Sequence, residues 1–169
     1  MILEDLDNSG FKMIKQPTTQ QVQLCLQHLA YMHAYFMGKP INDLWSRAGY
    51  WHLATRPDEW HAMQDKQLKM QAQVIEDHLH CSDYNTVLHG DAKIANFYIR
   101  PQQACLFDFQ YVGHGPGIKD IAYFLGSIYT SKQLFQQTEK ALDFYFSQLQ
   151  QALKKYNKSI NFFDLKQQW

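Results

Sequence analysis

The chain has 169 residues, 46% hydrophobic and 15% aromatic, with 16 basic side chains balancing 16 acidic ones. That length suits one domain, and that composition builds a core, which excludes a disordered chain. A net charge of zero with no long basic run argues against a nucleic-acid footprint and against a polybasic membrane patch. No apolar stretch approaches the roughly 18 residues that span a bilayer. The start, Met1 to Gly10, is acidic and lacks a signal-peptide layout. Cys25, Cys81 and Cys105 are odd in number and show no paired spacing, so neither a disulfide framework nor a zinc site is expected. Together these features predict a soluble, cytoplasmic protein.

In chain order, Met1–Leu3 is a short apolar run followed by a polar segment to Gly10. Thr18 and Gln21 have capping-box spacing. After them Val22, Cys25, Leu26, Leu29, Met32, His33 and Phe36 recur at helical steps until Gly38 and Pro40 end the helix. A loop rich in Trp and Tyr runs from Leu44 to Leu53. One helix is expected from about Pro57–Asp58 towards His80. Thr86–Leu88, Phe97–Arg100 and Ala104–Phe107 are strand candidates, the last two forming a hairpin around Pro101-Gln102-Gln103. Gly113 to Gly117 reads as a flexible loop. Ile118, Ile121, Ala122, Leu125 and Ile128 mark another helix. Thr130 with Gln133 starts a last long one, whose buried face carries Leu134, Thr138, Ala141, Leu142, Tyr145, Leu149, Leu153 and Tyr156. The predicted class is α+β, mostly helical, with a small β-hairpin.

The hairpin carries the chemistry. With Phe97 opposite Phe107, Asn96 would face Asp108, about 5 Å apart at Cβ. Two oxygen-bearing side chains at that spacing suit one Mg²⁺, which prefers a few protein oxygens beside phosphate and water. Asp91 lies on the loop entering the hairpin and reaches the same space. An unligated carboxylate there suits a base that orients a substrate hydroxyl.

The run His89-Gly90-Asp91-Ala92-Lys93-Ile94-Ala95-Asn96, followed by Asp108-Phe109-Gln110, resembles the catalytic and metal motifs of aminoglycoside phosphotransferases and choline kinases, relatives of protein kinases. The resemblance implies ATP and Mg²⁺ as cofactors and a small-molecule hydroxyl as acceptor. Asp91 would be the catalytic base, Asn96 and Asp108 the metal ligands, and Lys93 a catalytic lysine stabilising the transferring phosphoryl. Ile2-Leu3-Glu4-Asp5-Leu6 resembles the hinge that receives adenine, so Leu3, Glu4, Asp5 and Leu6 are the implied ATP-binding positions. With Gly10-Phe11-Lys12, that run looks like the CHK-like, or ecdysteroid-kinase-like, branch. Asp120, in Lys119-Asp120-Ile121-Ala122, resembles the helix-start aspartate that braces the catalytic loop, and His89 is expected to support the loop from beneath.

In that family a small N-terminal lobe with a phosphate-covering loop precedes the hinge. Here the hinge-like segment opens the sequence, and Phe162 to Trp169 reads as the start of a further helix. Residues 1–169 are therefore expected to be a single kinase-like C-terminal lobe, truncated at both ends. Its cleft would be left to a separate N-lobe or to self-association, and the chain alone would bind Mg·ATP weakly. A non-catalytic interaction module is the alternative, against which the intact Asp91, Lys93, Asn96 and Asp108 count. The remaining histidines show no metal spacing. The glycine-rich run lacks Walker spacing. Trp45, Tyr50, Trp51 and Trp60 fit either an aromatic cage for a cationic acceptor or simple loop packing.

Overall fold

A computed structural model describes residues 5–40, 42–49 and 52–169. Two long helices form its backbone. Helix α1, Thr19–Phe36, begins at a complete capping box: Gln21 N–H donates to Thr18 Oγ1 at 3.3 Å, and Thr18 N–H donates to Gln21 Oε1 at 2.8 Å. Helix α5, Ser131–Lys155, begins the same way at Thr130 and Gln133. Val22, Leu26, Leu29 and His33 of α1 are buried, as are Ala141, Tyr145, Leu149 and Leu153 of α5, and the two helices pack along one another. Each fully buried Leu in this seam contributes about 1.5–3 kcal/mol. Helix α4, Ile118–Ile128, packs against both, and helix α6, Phe162–Gln168, meets α5 where Phe162 lies edge-on to Phe146. The α+β class is as expected: the chain is mostly helical, with two small antiparallel sheets.

The first sheet has the order β1-β3-β4, from Lys12–Met13, Phe97–Arg100 and Gln103–Leu106. Its register corrects the expectation from sequence. Phe97 pairs with Leu106 and Arg100 with Gln103, one residue short of the predicted pairing, so Asn96 lies opposite Phe107 and not Asp108. The core explains the slip. Phe97 and Ile99 alternate inward, as do Ala104 and Leu106. Only the observed register puts these apolar side chains on one face, because a one-residue shift turns a strand over. The turn is two residues, Pro101 and Gln102, with Gln102 in the left-handed region at φ 68°.

In the second sheet, β2 (Thr86–Leu88) pairs with β5 (Gly113–Gly115). The glycine-rich segment is thus partly strand, where a flexible loop was expected. A Cβ at Gly113 would lie 2.6 Å from the Trp45 carbonyl oxygen, so only glycine lets this strand pass that loop. The expected helix from Pro57 to His80 is two helices, α2 (Pro57–Ala62) and α3 (Lys66–His80). The break comes because Asp65 caps α3, accepting the Leu68 N–H at 2.9 Å. Among the described residues, no helix is long and apolar enough to cross a membrane.

Candidate active site

Strand β2 runs into a loop whose course allows one residue type at its apex. Gly90 has φ 81°, and a Cβ there would sit 2.1 Å from the Tyr111 carbonyl oxygen and 2.7 Å from the Gly49 nitrogen. Glycine alone tolerates both conditions. Asp120, in the first turn of α4, then pins the loop. Its Oδ2 accepts the His89 N–H at 2.7 Å and its Oδ1 accepts the Gly90 N–H at 3.0 Å. The carboxylate is itself held from behind, because His33 Nε2 lies 3.2 Å from Oδ2. A carboxylate can only accept, so Nε2 carries the proton and Nδ1 accepts the Tyr145 hydroxyl at 2.8 Å. Burial raises the Tyr145 phenol well above its usual pKa, with the Asp120 charge adding to it. This hydroxyl therefore stays protonated and remains a donor.

His89 is closed off from solvent. It bonds the Phe107 carbonyl through Nε2 at 2.8 Å, which leaves Nδ1 to accept the Asp91 N–H at 3.2 Å. The ring thereby ties the loop to the end of β4, and the Phe109 ring covers it at 4.7 Å between centroids.

Asp91 is only 5% exposed. Its Oδ2 receives Lys93 Nζ at 2.8 Å and Asn96 Nδ2 at 3.0 Å. Oδ1 carries no hydrogen bond among the described residues. A 3-10 turn, Ile94–Asn96, sets this geometry and is fastened to α4 where the Ile94 N–H donates to Ser127 Oγ at 2.9 Å. Asn96 also donates to the Asp91 backbone carbonyl at 2.7 Å. Both its amide hydrogens are thereby used, which leaves its oxygen to face elsewhere. Lys93 is held above its ordinary pKa, chiefly by the hydrogen bond it donates to Asp91, while partial burial opposes it and the Asp91, Tyr123 and Asp108 charges assist. Asp108 itself is exposed, in the left-handed region at φ 64°, and accepts Gln110 Nε2 at 3.2 Å.

A small cavity of about 60 Å³ opens beside Gly90, lined also by Leu88, Lys119, Asp120 and Tyr123. No group of three or more His, Cys, Asp or Glu side chains among the described residues could hold a metal alone. Asn96 and Asp108 offer one amide oxygen and one carboxylate. That donor set fits Mg²⁺ when phosphate oxygens and water complete the shell.

The hinge-like segment is only partly described. Leu3 and Glu4 lie outside the described residues. Asp5 and Leu6 open a turn, with the Asp5 carbonyl accepting the Ser9 N–H and the Leu6 carbonyl accepting the Phe11 N–H. No hydrogen bond or ion pair among the described residues joins either to the Asp91 cluster. The turn leads into β1, which pairs with β3 through Lys12↔Ile99 and Met13↔Tyr98. Of the proposed aromatic cage, Tyr50 and Trp51 lie outside the described residues. Trp45 packs edge-on against Tyr111 and Trp60 donates its indole N–H to the Lys69 carbonyl.

A model of the ecdysteroid kinase-like family matches residues 45–158. The chain belongs to the ecdysteroid kinase-like family. The match spans Asp91, Lys93, Asn96, Asp108 and Asp120, and it makes this chain kinase-like, of the small-molecule kinase kind. No curated protein matches the chain. In this ecdysteroid kinase-like chain, sequence reasoning missed His33 and Tyr145. Both fall on apolar helix faces and read there as ordinary core, and only their meeting across the α1–α5 seam reveals the network.

Proposed function

We propose that this chain carries the phosphoryl-transfer centre of a small-molecule kinase that uses Mg·ATP and phosphorylates a hydroxyl. The observation that carries this reading is the state of Asp91: a buried carboxylate with one oxygen fixed by Lys93 and Asn96 and the other left open. Asp91 Oδ1 would orient the acceptor hydroxyl and take its proton. The hydroxyl oxygen bonds to the γ-phosphorus as the bond from phosphorus to the β–γ bridging oxygen breaks, and ADP leaves. Lys93 faces the developing charge on the phosphoryl oxygens. Asn96 and Asp108 would hold the Mg²⁺, which neutralises phosphate charge when bound. Asp120 acts at one remove, by fixing the backbone of His89 and Gly90.

The family membership and the convergence of Asp91, Lys93 and Asn96 support this reading. The free thiols of Cys25 and Cys81 favour a reducing, cytoplasmic setting where ATP is available. The test is ADP release with Mg·ATP across a panel of hydroxylated acceptors, comparing the native protein with Asp91→Ala. Turnover that survives in Asp91→Ala at the native rate removes Asp91 from this role.

A further inference from the structure

Helices α2 and α3 do not pack as the rest of the chain does. Neither has a single buried residue. Yet α3 is amphipathic over 15 residues, and such a helix draws most of its stability from covering its apolar face. Leu68, Ile75 and Leu79 of α3 instead line an open groove of about 340 Å³, together with Leu53, Trp60 and Met63. That volume lies within the roughly 300–1,000 Å³ of small-molecule sites.

The inner end of the groove is polar and unevenly satisfied. Glu76 is already engaged, accepting Arg47 at 2.7 Å and the Leu53 N–H at 2.8 Å. Among the described residues, His52 Nδ1 and His80 Nε2 are shut off from water without a hydrogen bond, the latter 3.7 Å from Glu76 Oε1. Lys119 stands where the groove meets the cavity beside Gly90, lining both. Its ammonium makes one long hydrogen bond, to the Ala48 carbonyl at 3.4 Å, and no carboxylate lies within ion-pair distance among the described residues. Burial pushes it below its ordinary pKa, with Arg47 adding and the Glu76 and Asp120 charges opposing. Those two charges offset the burial in part, but neither makes an ion pair with Lys119, and the Asp120 oxygens already serve His89, Gly90 and His33. A half-buried cation without a carboxylate in direct contact keeps part of its desolvation cost.

From this geometry we propose that the groove binds the acceptor and that the acceptor is an aliphatic hydroxy acid, its tail against α3 and its carboxylate on Lys119. The assignment rests on the proposed phosphotransfer reading and names its substrate class. Lys119 stands at the junction of groove and cavity, and Gly90, which precedes Asp91 in the chain, lines that small cavity, so an acid anchored there would present to Asp91 a hydroxyl close to its carboxyl group. The predicted class is therefore 2- or 3-hydroxy acids of medium chain length. The tail would cover the apolar face of α3, and the carboxylate would supply the contacting anionic partner that Lys119 has among none of the described residues.

The experiment is titration calorimetry of the protein with 3-hydroxydecanoate and with decane-1,3-diol, which keeps the tail and the hydroxyl but replaces the carboxylate. The acid is expected to bind at least tenfold more tightly than the diol. In Lys119→Met that ratio should fall to within twofold. Ala72→Phe, which fills the groove without touching Lys119, should weaken both ligands at least tenfold. Equal affinity for acid and diol, a preference that survives in Lys119→Met, or no binding of either ligand overturns the proposal. Phosphoryl transfer from labelled ATP to 3-hydroxydecanoate is scored separately. Tight, Lys119-dependent binding without transfer counts against the phosphotransfer reading and leaves the acid site standing.

Discussion

His33 Nε2 lies 3.2 Å from Asp120 Oδ2, with both side chains closed to solvent, 87 residues apart in the chain. The contact joins the α1–α5 core to the loop that carries Asp91, because Asp120 also accepts the N–H groups of His89 and Gly90. Asp120→Ala strands two buried donors and one partly buried one. At about 1–3 kcal/mol for each unsatisfied buried group, the expected loss of stability is about 3 kcal/mol or more. Asp120→Asn keeps the shape and one acceptor oxygen and should lose less. Urea unfolding checks both variants, and an Asp120→Ala protein as stable as the native one contradicts the bracing role.

Two glycines separate necessity from convenience. Gly90 combines φ 81° with a Cβ position 2.1 Å from the Tyr111 oxygen. Strain of about 1–3 kcal/mol for a non-glycine residue in that region adds to the clash, so Gly90→Ala should unfold the loop and cost at least about 3 kcal/mol. At Gly126, inside α4, an added methyl group would meet nothing within 4 Å. Gly126→Ala should stabilise the protein by about 0.5–1 kcal/mol through helix propensity. Thermal unfolding of the two variants should move in opposite directions.

Which features could be read from the sequence depends on how local their causes are. Thr18 with Gln21 and Thr130 with Gln133 specify helix starts within four residues, and both capping boxes formed. The motif residues Asp91, Lys93 and Asn96 also meet through short-range geometry, within one turn of loop and 3-10 helix. The rest depends on distant partners. The hairpin register answers to the shared core face of Phe97, Ile99, Ala104 and Leu106 and not to turn spacing alone. Gly113 is a strand residue because it pairs with Leu88, and a glycine because Trp45 and Ala48 crowd it. Lys119 looks like an ordinary helix-start lysine until two cavities are seen to meet at it.

Acid should weaken the fold through His28. Burial, with His33 adding, lowers its pKa from the ordinary 6.5, against a backbone hydrogen bond at Ala104 that acts the other way. Above pH 6.5 the ring is neutral in both folded and unfolded chains and has no effect on stability. As pH falls below 6.5 the unfolded chain takes up a proton that the folded chain resists, so stability falls down to the lowered folded pKa. Stability measured from pH 7.5 to 5 should decline, and His28→Gln should flatten part of that decline. An unchanged slope in His28→Gln would show that other groups, such as His52 and His80, carry it.

Asp108 offers the cleanest separation of ligand binding from folding. It is exposed, and its one side-chain hydrogen bond among the described residues goes to Gln110. The lost surface contact matters little, but alanine tolerates φ 64° less well than aspartate, so Asp108→Ala should lower stability without ligand by about 1 kcal/mol. Asn96 differs: it is buried, and its amide hydrogens hold both the backbone and the carboxylate of Asp91. Asn96→Ala should cost about 1–3 kcal/mol even without ligand. If the two side chains share a Mg²⁺ with the nucleotide, both variants lose the increase in melting temperature that Mg·ATP gives the native protein. An Asp108→Ala protein that still responds fully to Mg·ATP, but not to ATP with a chelator, would place the metal on other ligands.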